Sequence, residues 1–470
     1  MKRIGEVKVL ADTLKESDIQ ETDKLSLFHL TWPIFLEVFL FMLMGLADTF
    51  MLSALSDNAV SGVGAANQYI HIAILILEVV GNGASIVVSQ YLGSRRIFEA
   101  AKISALAVTM NLVVGLMMSV LFFFFSSHLM TIMNLQGEVL KYAQSYLVII
   151  GSFIFLQAII NALAAIIRVH GWTKQTMYVS LGMNVLHVVL NYGLIFGNLG
   201  LPELGVKGAA ISSVISRGLA ILVFFWLFYQ VMDVRVKLEH YFEYSKEYVR
   251  KILNIGLPSA FEQVLYQFCQ IVFLYYATYL GAETLAARQY AMNISMFTYL
   301  FAIAIGTGTA IIIGRNVGAG KKDQAYHQLW SSVRAAFAFT ITMVAVVTMF
   351  RKQLMHVFTD NPEVIAIGAS VLALSILLET GRTMNIVVIN SLRASGDARF
   401  PVKIGFLSMV CMSLPLGYLF VFVLDWGLVG IWLAISADEW MRAIIVYFRW
   451  RSRKWERFAL VSPTEQKEAN

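Results

Sequence analysis

Two carboxylates, Glu37 and Asp48, lie in an almost wholly apolar stretch from residue 31 to residue 51. A stretch of this length can span a bilayer. An ionised side chain near the bilayer centre costs roughly 2.5–3.5 kcal/mol on insertion scales, so a helix that keeps one commonly uses it to bind or carry an ion. The alternative is an acid that is paired with a neighbour inside the helix bundle. This alternative has more weight for Glu37, which lies one turn after Pro33.

The composition of the whole chain indicates a membrane protein. Of its 470 residues, 58% are hydrophobic and 14% are charged, whereas soluble domains carry about 25% charged residues. The net charge is +6, but Lys and Arg cluster in short connections between apolar segments, which fits a membrane topology signal and not a nucleic-acid partner. Cys269 and Cys411 lie in apolar runs without metal-ligand spacing, so we expect buried thiols and neither a metal nor a cofactor.

Apolar segments recur along the chain at about the 20-residue length that a bilayer requires. Because the chain has only seven prolines, we expect most of these helices to be continuous. The sequence therefore predicts an all-α integral membrane protein with twelve transmembrane helices. We number the predicted spans 1 to 12 and place them at 28–53, 62–91, 99–126, 140–168, 175–197, 206–231, 250–279, 285–315, 327–350, 363–393, 401–424 and 428–449.

Basic residues are concentrated in the even-numbered connections, such as Arg95 and Arg96 after span 2 and Lys321 and Lys322 after span 8. The positive-inside rule then puts both termini in the cytosol of a multi-pass cell-membrane protein. We also expect the connection between spans 6 and 7 to be amphipathic and to lie at the membrane surface. The predicted units are a cytosolic N-terminal tail (1–27), an N-lobe with spans 1–6 (28–231), a cytosolic linker (232–249), a C-lobe with spans 7–12 (250–450) and a cytosolic C-terminal tail (451–470).

The two halves of the chain are copies of one pattern. Landmarks in the first half recur 225 positions later: Pro33 and Glu37 as Pro258 and Glu262, the glycine-rich segment 81–93 as 306–318, and Arg168 as Arg393. Each copy holds six spans, so both copies enter the membrane in the same direction. Parallel repeats of this kind place a substrate site between the halves and permit alternating access, which indicates a carrier rather than a channel.

The order of these motifs resembles the multidrug and toxic compound extrusion (MATE) family of secondary transporters, and within it the bacterial branch named after the DNA-damage-inducible protein DinF. The resemblance covers about residues 25–450. It implies two pseudo-symmetric six-helix bundles around a V-shaped cleft, and export of organic cations driven by inward flow of H⁺ or Na⁺. It rests on Pro33, Ala47-Asp48-Thr49, Gly81-x-Gly83, Gln90-x-x-Gly93, the segments 184–191 and 205–213, Ile255-Gly-Leu-Pro258 and the segment 391–397.

The resemblance places the family's coupling aspartate at Asp48 and a hydroxyl of the cation site at Ser213. Many relatives carry Asn and Asp four residues apart on span 5, where this chain has His187 and Asn191. This spacing puts both side chains on one helix face. Since a single carboxylate beside an imidazole is a poor Na⁺ cage and a reasonable proton site, we expect H⁺ coupling at these four residues. Coupling to Na⁺ is the alternative.

In the C-lobe, Glu262 and Glu379 lie near the positions at which some relatives bind Na⁺, but out of register with them. We expect both acids to meet Arg382 in a structural ion pair. Soft and aromatic side chains near the cleft suit a promiscuous pocket for organic cations. The candidates for the substrate cavity are Met42, Met44, Tyr69, Tyr266 and Tyr290, together with Glu262, Glu379 and Arg382.

The sequence thus predicts a secondary antiporter that exports lipophilic organic cations across the cytoplasmic membrane, acts as a monomer and is not an enzyme. Gly318-Ala-Gly-Lys-Lys lacks the spacing of a P-loop, so ATP is not the predicted energy source. A flippase for a lipid-linked precursor is a third alternative. It would require a strongly basic central cavity, and we expect few intramembrane cations besides Arg382.

Overall fold

The computed structural model describes residues 25–133, 135–232, 234 and 236–461, and the regular structure within these ranges is helical. Ten of the twelve spans are single helices. Spans 4 and 10 each consist of two helices. In chain order the spans are Leu27–Ser53, Asp57–Gly93, Ile97–Ile132, Gly137–Ser152 with Ile154–Val169, Thr173–Phe196, Val206–Val231, Lys246–Thr278, Ala282–Gly318, Lys322–Met349, Pro362–Ala373 with Ser375–Ala394, Arg399–Val423 and Gly427–Arg451.

The length and apolar character of these helices confirm the prediction of an all-α membrane protein. Among the described residues, eight helices are long and apolar enough to cross a membrane, and spans 4 and 10 also qualify when each bent pair is counted as one span. Spans 7 and 12 complete the twelve. They are less apolar because charged side chains lie within them, namely Glu262 in span 7 and Asp438, Glu439 and Arg442 in span 12.

The bends in spans 4 and 10 could not be predicted from the sequence. The two helices of span 4 meet at 48° and those of span 10 at 49°, and neither break contains a proline. At the first break, the Ser119 hydroxyl of span 3 accepts a hydrogen bond from the Phe155 amide at 3.2 Å. A side chain that inserts into the backbone ladder in this way is a recognised cause of a kink. Spans 4 and 10 are therefore the exceptions to the expectation that most helices are continuous.

A short helix, Leu238–Phe242, lies in the connection between spans 6 and 7. One side of it packs on span 3, where the Thr109 hydroxyl donates to the Tyr241 carbonyl at 2.7 Å and Lys102 pairs with Glu243 at 2.7 Å. Leu238 and Phe242 remain exposed on the other side. Exposed apolar side chains beside lysines are typical of a segment that lies at a membrane surface.

The same ion pair holds each lobe together. Glu37 Oε2 of span 1 lies 3.2 Å from Arg168 of span 4, and Glu262 Oε2 of span 7 lies 2.6 Å from Arg393 of span 10. These pairs occupy equivalent positions in the repeat. The expectation that Glu262 meets Arg382 is therefore wrong, because the partner of Glu262 comes from the far end of span 10 and Arg382 pairs with Glu379 at 2.9 Å.

The two lobes contact each other at the end of the molecule that carries the basic even-numbered connections, which we call the basic end. Here the C-terminal ends of spans 2 and 8 cross so closely that only glycine fits. A Cβ on Gly93 would overlap the Arg315 carbonyl, and a Cβ on Gly318 would overlap the Gln90 carbonyl. The two contacts are related by the repeat. The closed side of the V-shaped cleft therefore lies at the basic end.

Candidate functional site

The four predicted coupling residues converge inside the N-lobe. Asp48 comes from the second half of span 1, His187 and Asn191 from span 5, and Ser213 from span 6. Span 1 begins at the basic end, so Asp48 lies in the half of the lobe that is remote from the contact between the lobes. The four-residue spacing of His187 and Asn191 directs both towards Asp48, as their common helix face requires.

Asp48 Oδ1 is the centre of the hydrogen-bond network. It lies 2.7 Å from His187 Nε2 and 2.6 Å from Asn191 Nδ2. Ser213 Oγ lies 3.5 Å from the other ring nitrogen of His187, Nδ1. His187 and Asn191 are buried, with exposed fractions of 1% and 0%, whereas the Asp48 side chain is 22% exposed. The carboxylate is thus the member of the network that solutes reach.

These distances define the proton positions when Asp48 is ionised. A carboxylate only accepts hydrogen bonds, so His187 Nε2 must carry a proton, and the neutral ring then presents Nδ1 as an acceptor for the Ser213 hydroxyl. Asn191 turns its NH₂ group, and not its carbonyl oxygen, towards Asp48. Within the described residues, no cluster of three or more His, Cys, Asp or Glu side chains forms a metal site.

A cation that sequence reasoning missed lies beside this network. Arg217 follows Ser213 by one turn on the same face of span 6 and is half-buried. It lies within electrostatic range of Asp48 and of Tyr146. No salt bridge involving Arg217 is formed by the residues that the structure describes. An arginine inside an otherwise apolar span was a visible signal for a functional site.

The residues proposed for the substrate cavity are dispersed. The Tyr69 hydroxyl donates to the Leu129 carbonyl at 3.1 Å, and the Tyr290 ring stacks on Phe358 with 5.2 Å between centroids. Both tyrosines therefore serve helix packing. Met42 and Met44 are half-buried on span 1, the helix that also carries Asp48.

The C-lobe contains a buried chain of ion pairs between spans 10 and 12. Arg382 contacts Glu379 at 2.9 Å and Glu439 at 3.8 Å, and Arg442 contacts Glu439 at 3.1 Å and Asp438 at 2.8 Å. Glu439 thus bridges both arginines. The pair of Glu379 with Arg382 was predicted from the sequence, whereas Asp438, Glu439 and Arg442 were not. Charges spaced by three and four residues within an apolar span were a signal for them.

This chain of charges borders a cavity within the C-lobe. Tyr266 and Glu262 line the cavity together with Asp438, Glu439 and Arg442. Four of the predicted substrate residues therefore lie at or next to one charged region, namely Glu262, Tyr266, Glu379 and Arg382. Arg382 and Arg442 are paired with acids, whereas the buried Arg288 of span 8 donates to Gln270 Oε1 at 3.2 Å. The lobe therefore holds more intramembrane cations than we expected.

Two parallel six-span lobes with contacts at one end and a polar network in the other half define a class of protein, a multi-pass membrane transporter with an alternating-access build. Comparisons with known proteins narrow this class. The model of the MatE family matches residues 33–193 and again residues 258–419. The two matches start 225 positions apart and coincide with the internal repeat.

Relatives extend over nearly the whole chain. An uncharacterized transporter, YisQ, of Bacillus subtilis is 41% identical over 92% of this chain and 94% of its own length. A probable multidrug resistance protein, NorM, of Thermotoga maritima is 27% identical over 97% of this chain and 98% of its own length. The chain belongs to the MatE family, whose members are MATE transporters.

Solved structures agree with this fold. A MATE protein in a bent conformation superposes with a TM-score of 0.85 at 21% identity, covering 96% of this chain and 98% of that one. An outward-facing multidrug resistance MATE transporter superposes with a TM-score of 0.84 at 21% identity, covering 93% and 97%. At this identity the likeness concerns the fold, and it confirms the two-lobed, twelve-helix arrangement.

Proposed function

We propose that this transporter exports lipophilic organic cations across the bacterial cell membrane in exchange for protons, and that Asp48 is the group that both compete for. The observation that carries the proposal is the network around Asp48 Oδ1, which accepts hydrogen bonds from His187 at 2.7 Å and Asn191 at 2.6 Å. Names of relatives, such as the multidrug resistance protein of Thermotoga maritima, support drug efflux.

The donors around Asp48 favour a proton over Na⁺ as the coupling ion. Hard cations take several oxygen ligands, but Asp48 Oδ1 already faces two nitrogens, and Asn191 presents its NH₂ group. The positive charge of Arg217 also lies within electrostatic range of Asp48, which opposes a second fixed cation. A proton needs only the free lone pairs of the carboxylate.

The transport cycle follows from charge. The basic end faces the cytosol by the positive-inside rule, so the Asp48 half of the cleft faces outward. In the conformation that is open to the cytosol, ionised Asp48 attracts an organic cation that enters the cleft from that side. A proton from outside neutralises the carboxylate and weakens its hydrogen bonds to His187 and Asn191. Arg217 is then unopposed and repels the organic cation. The cycle requires only that protons bind the two conformations with different affinity.

Transport in proteoliposomes tests this function. Ethidium uptake is measured with an imposed pH gradient at equal Na⁺, and separately with a Na⁺ gradient at equal pH. We expect the pH gradient alone to drive uptake by the wild-type protein. Asp48→Asn should abolish driven uptake, whereas Asp57→Asn, an exposed acid at the start of span 2, serves as the matched control and should transport normally.

Two results would contradict the proposal. One is full uptake by Asp48→Asn under a pH gradient, which would remove Asp48 from coupling. The other is uptake driven by the Na⁺ gradient at equal pH, which would establish the Na⁺-coupled alternative. Ionophore controls that collapse each gradient separate either result from a membrane-potential effect.

A further inference from the structure

The chain continues past span 12 as a short ordered segment on the basic end. Arg453 adopts a left-handed backbone conformation with φ of 55° and turns the chain into a 3-10 helix, Lys454–Phe458. Trp455 in this helix is fully buried. Its ring stacks on Trp450 with 4.2 Å between centroids, and its indole N–H donates to the Trp450 carbonyl at 3.0 Å. The first part of the segment is therefore anchored to the C-lobe.

A second set of contacts fixes the end of this 3-10 helix. Gly396 has a φ of 99°, and a Cβ there would overlap the Phe458 carbonyl, so the two backbones meet at a point that only glycine permits. Arg449 pairs with Asp397 at 2.8 Å and lies over the Phe458 ring at 5.6 Å. Phe458 is thereby held against the connection between spans 10 and 11.

The following residues leave the C-lobe and bind the N-lobe. The Leu460 amide donates to Gln90 Oε1 of span 2 at 2.8 Å. Gln90 Nε2 in turn donates to the Ala394 carbonyl of span 10 at 2.7 Å. Val461 is 1% exposed and belongs to an apolar cluster that contains Val87 of span 2. The same cluster also contains Ile252 and Ile311 of the C-lobe, so a segment anchored to the C-lobe ends in an apolar cluster that both lobes build.

We infer that residues 459–461 form a latch that stabilises the conformation in which the cleft is closed at the basic end. Gln90 lies in the seam between the lobes, because its carbonyl is the group that a Cβ on Gly318 would overlap. When the lobes part at this end, Gln90 moves away from Ala394 and from Leu460, and the apolar cluster around Val461 is divided between the lobes. Each transport cycle must therefore release the latch, and its strength sets the ratio of the closed to the open state.

Accessibility of a buried seam residue measures this ratio directly. Thr31 is 2% exposed and faces the other lobe at Gly308, so a Thr31→Cys reporter reacts with a maleimide only when the seam opens. The reporter is introduced into a protein that carries Cys269→Ser and Cys411→Ser and is placed in lipid nanodiscs without substrate or ion gradient. The reaction rate then reports the open fraction.

Two truncations of the full chain differ only in the latch. A chain that ends at Phe458 lacks residues 459–461, whereas one that ends at Val461 keeps them and lacks only residues outside the described ranges. The shorter chain loses the hydrogen bond between the Leu460 amide and Gln90, together with the apolar contacts of the Leu460 and Val461 side chains. These losses should raise the labelling rate about tenfold or more. The chain that ends at Val461 should label at the rate of the full-length protein.

Equal labelling of the two truncated chains would overturn the inference. If the shorter chain does not yield monodisperse protein, the full-length variant Val461→Asp replaces it. Its control is Arg457→Asp, a change at an exposed residue of the same segment. We expect Val461→Asp to label faster than Arg457→Asp, and equal rates would again refute the latch. Because labelling needs no transported solute, its result is independent of the proton and substrate assignments.

Discussion

Replacing Gly93 with alanine tests the physical basis of closure at the basic end. A Cβ at Gly93 would lie 2.7 Å from the carbonyl carbon of Arg315, and one at Gly318 would lie 2.6 Å from that of Gln90. Carbon atoms normally make contact at about 3.5–4.0 Å, so spans 2 and 8 would have to part by about 1 Å. Both neighbouring atoms belong to helix backbone, which cannot rotate out of the way.

The size of the effect follows from that overlap. Overpacking of a well-packed interior typically costs about 1–3 kcal/mol. The cost applies to the closed state alone, because the two glycines separate when the basic end opens. The closed-to-open ratio should therefore fall by about 5- to 150-fold. The Thr31→Cys reporter described above measures this change as faster maleimide labelling in Gly93→Ala.

Gly64→Ala is the matched control for this experiment. Gly64 lies in the same span, and no heavy atom would come within 4 Å of a Cβ added there. Both substitutions remove the backbone freedom of a helical glycine, so that contribution cancels in the comparison. Equal labelling rates in the Gly93→Ala and Gly64→Ala proteins would refute the idea that the glycine crossing holds the basic end closed.

Three further substitutions probe the site and the lobes. Glu37→Gln leaves the half-buried Arg168 without its carboxylate partner and should destabilise the protein by about 1–3 kcal/mol. The measurement is a lower unfolding temperature in detergent, which the second change Arg168→Gln should partly restore; no restoration would mean that the pair is not coupled. Ser213→Ala removes the hydroxyl at His187 Nδ1 and should change the pH profile of proton-driven ethidium uptake while retaining transport, and an unaltered profile would exclude a role in setting the tautomer. Arg217→Gln should let Na⁺ compete with ethidium binding, measured by fluorescence at increasing NaCl with KCl as control, and equal effects of the two salts would count against the electrostatic argument.

The spans could be predicted because bilayer thickness fixes their length and basic connections mark their ends. The observed bounds of span 6, Val206–Val231, coincide with the predicted range. The break in span 4 could not be predicted, since its cause includes a hydroxyl of span 3, Ser119, that reaches the backbone from outside the helix. A sequence pattern within one helix carries no information on such a contact.

The convergence of Asp48 with His187 and Asn191 was predicted from the resemblance to the MATE family, whereas the four-residue spacing places only His187 and Asn191 on a common face. The partner of Glu262 was predicted wrongly. Glu379 and Arg382 are three residues apart and suggested a local cluster, whereas Arg393 reaches Glu262 from another part of the lobe. The repeat could have predicted this pair, because Glu37 and Arg168 are the counterparts of Glu262 and Arg393 in the first half of the chain.

The repeat also distinguishes the contacts that close the cleft, which occur in both halves, from Asp48, the residue that we propose to couple transport to protons. Two features occur in both halves of the chain. One is the glycine contact between spans 2 and 8, made by Gly93 and by Gly318, and the other is the ion pair of Glu37 with Arg168, repeated as Glu262 with Arg393. Either lobe can therefore rotate about the same glycine contact. Asp48 occurs once, since its counterpart is the buried Phe273. In the C-lobe, Arg382 of span 10 and Arg442 of span 12 each contact buried carboxylates. Glu379 and Glu439 are buried, with exposed fractions of 0% and 3%, whereas the Asp48 side chain is 22% exposed and can take up a proton from the cleft. We therefore propose Asp48, and not the buried acids of the C-lobe, as the group through which proton binding moves the symmetric lobes.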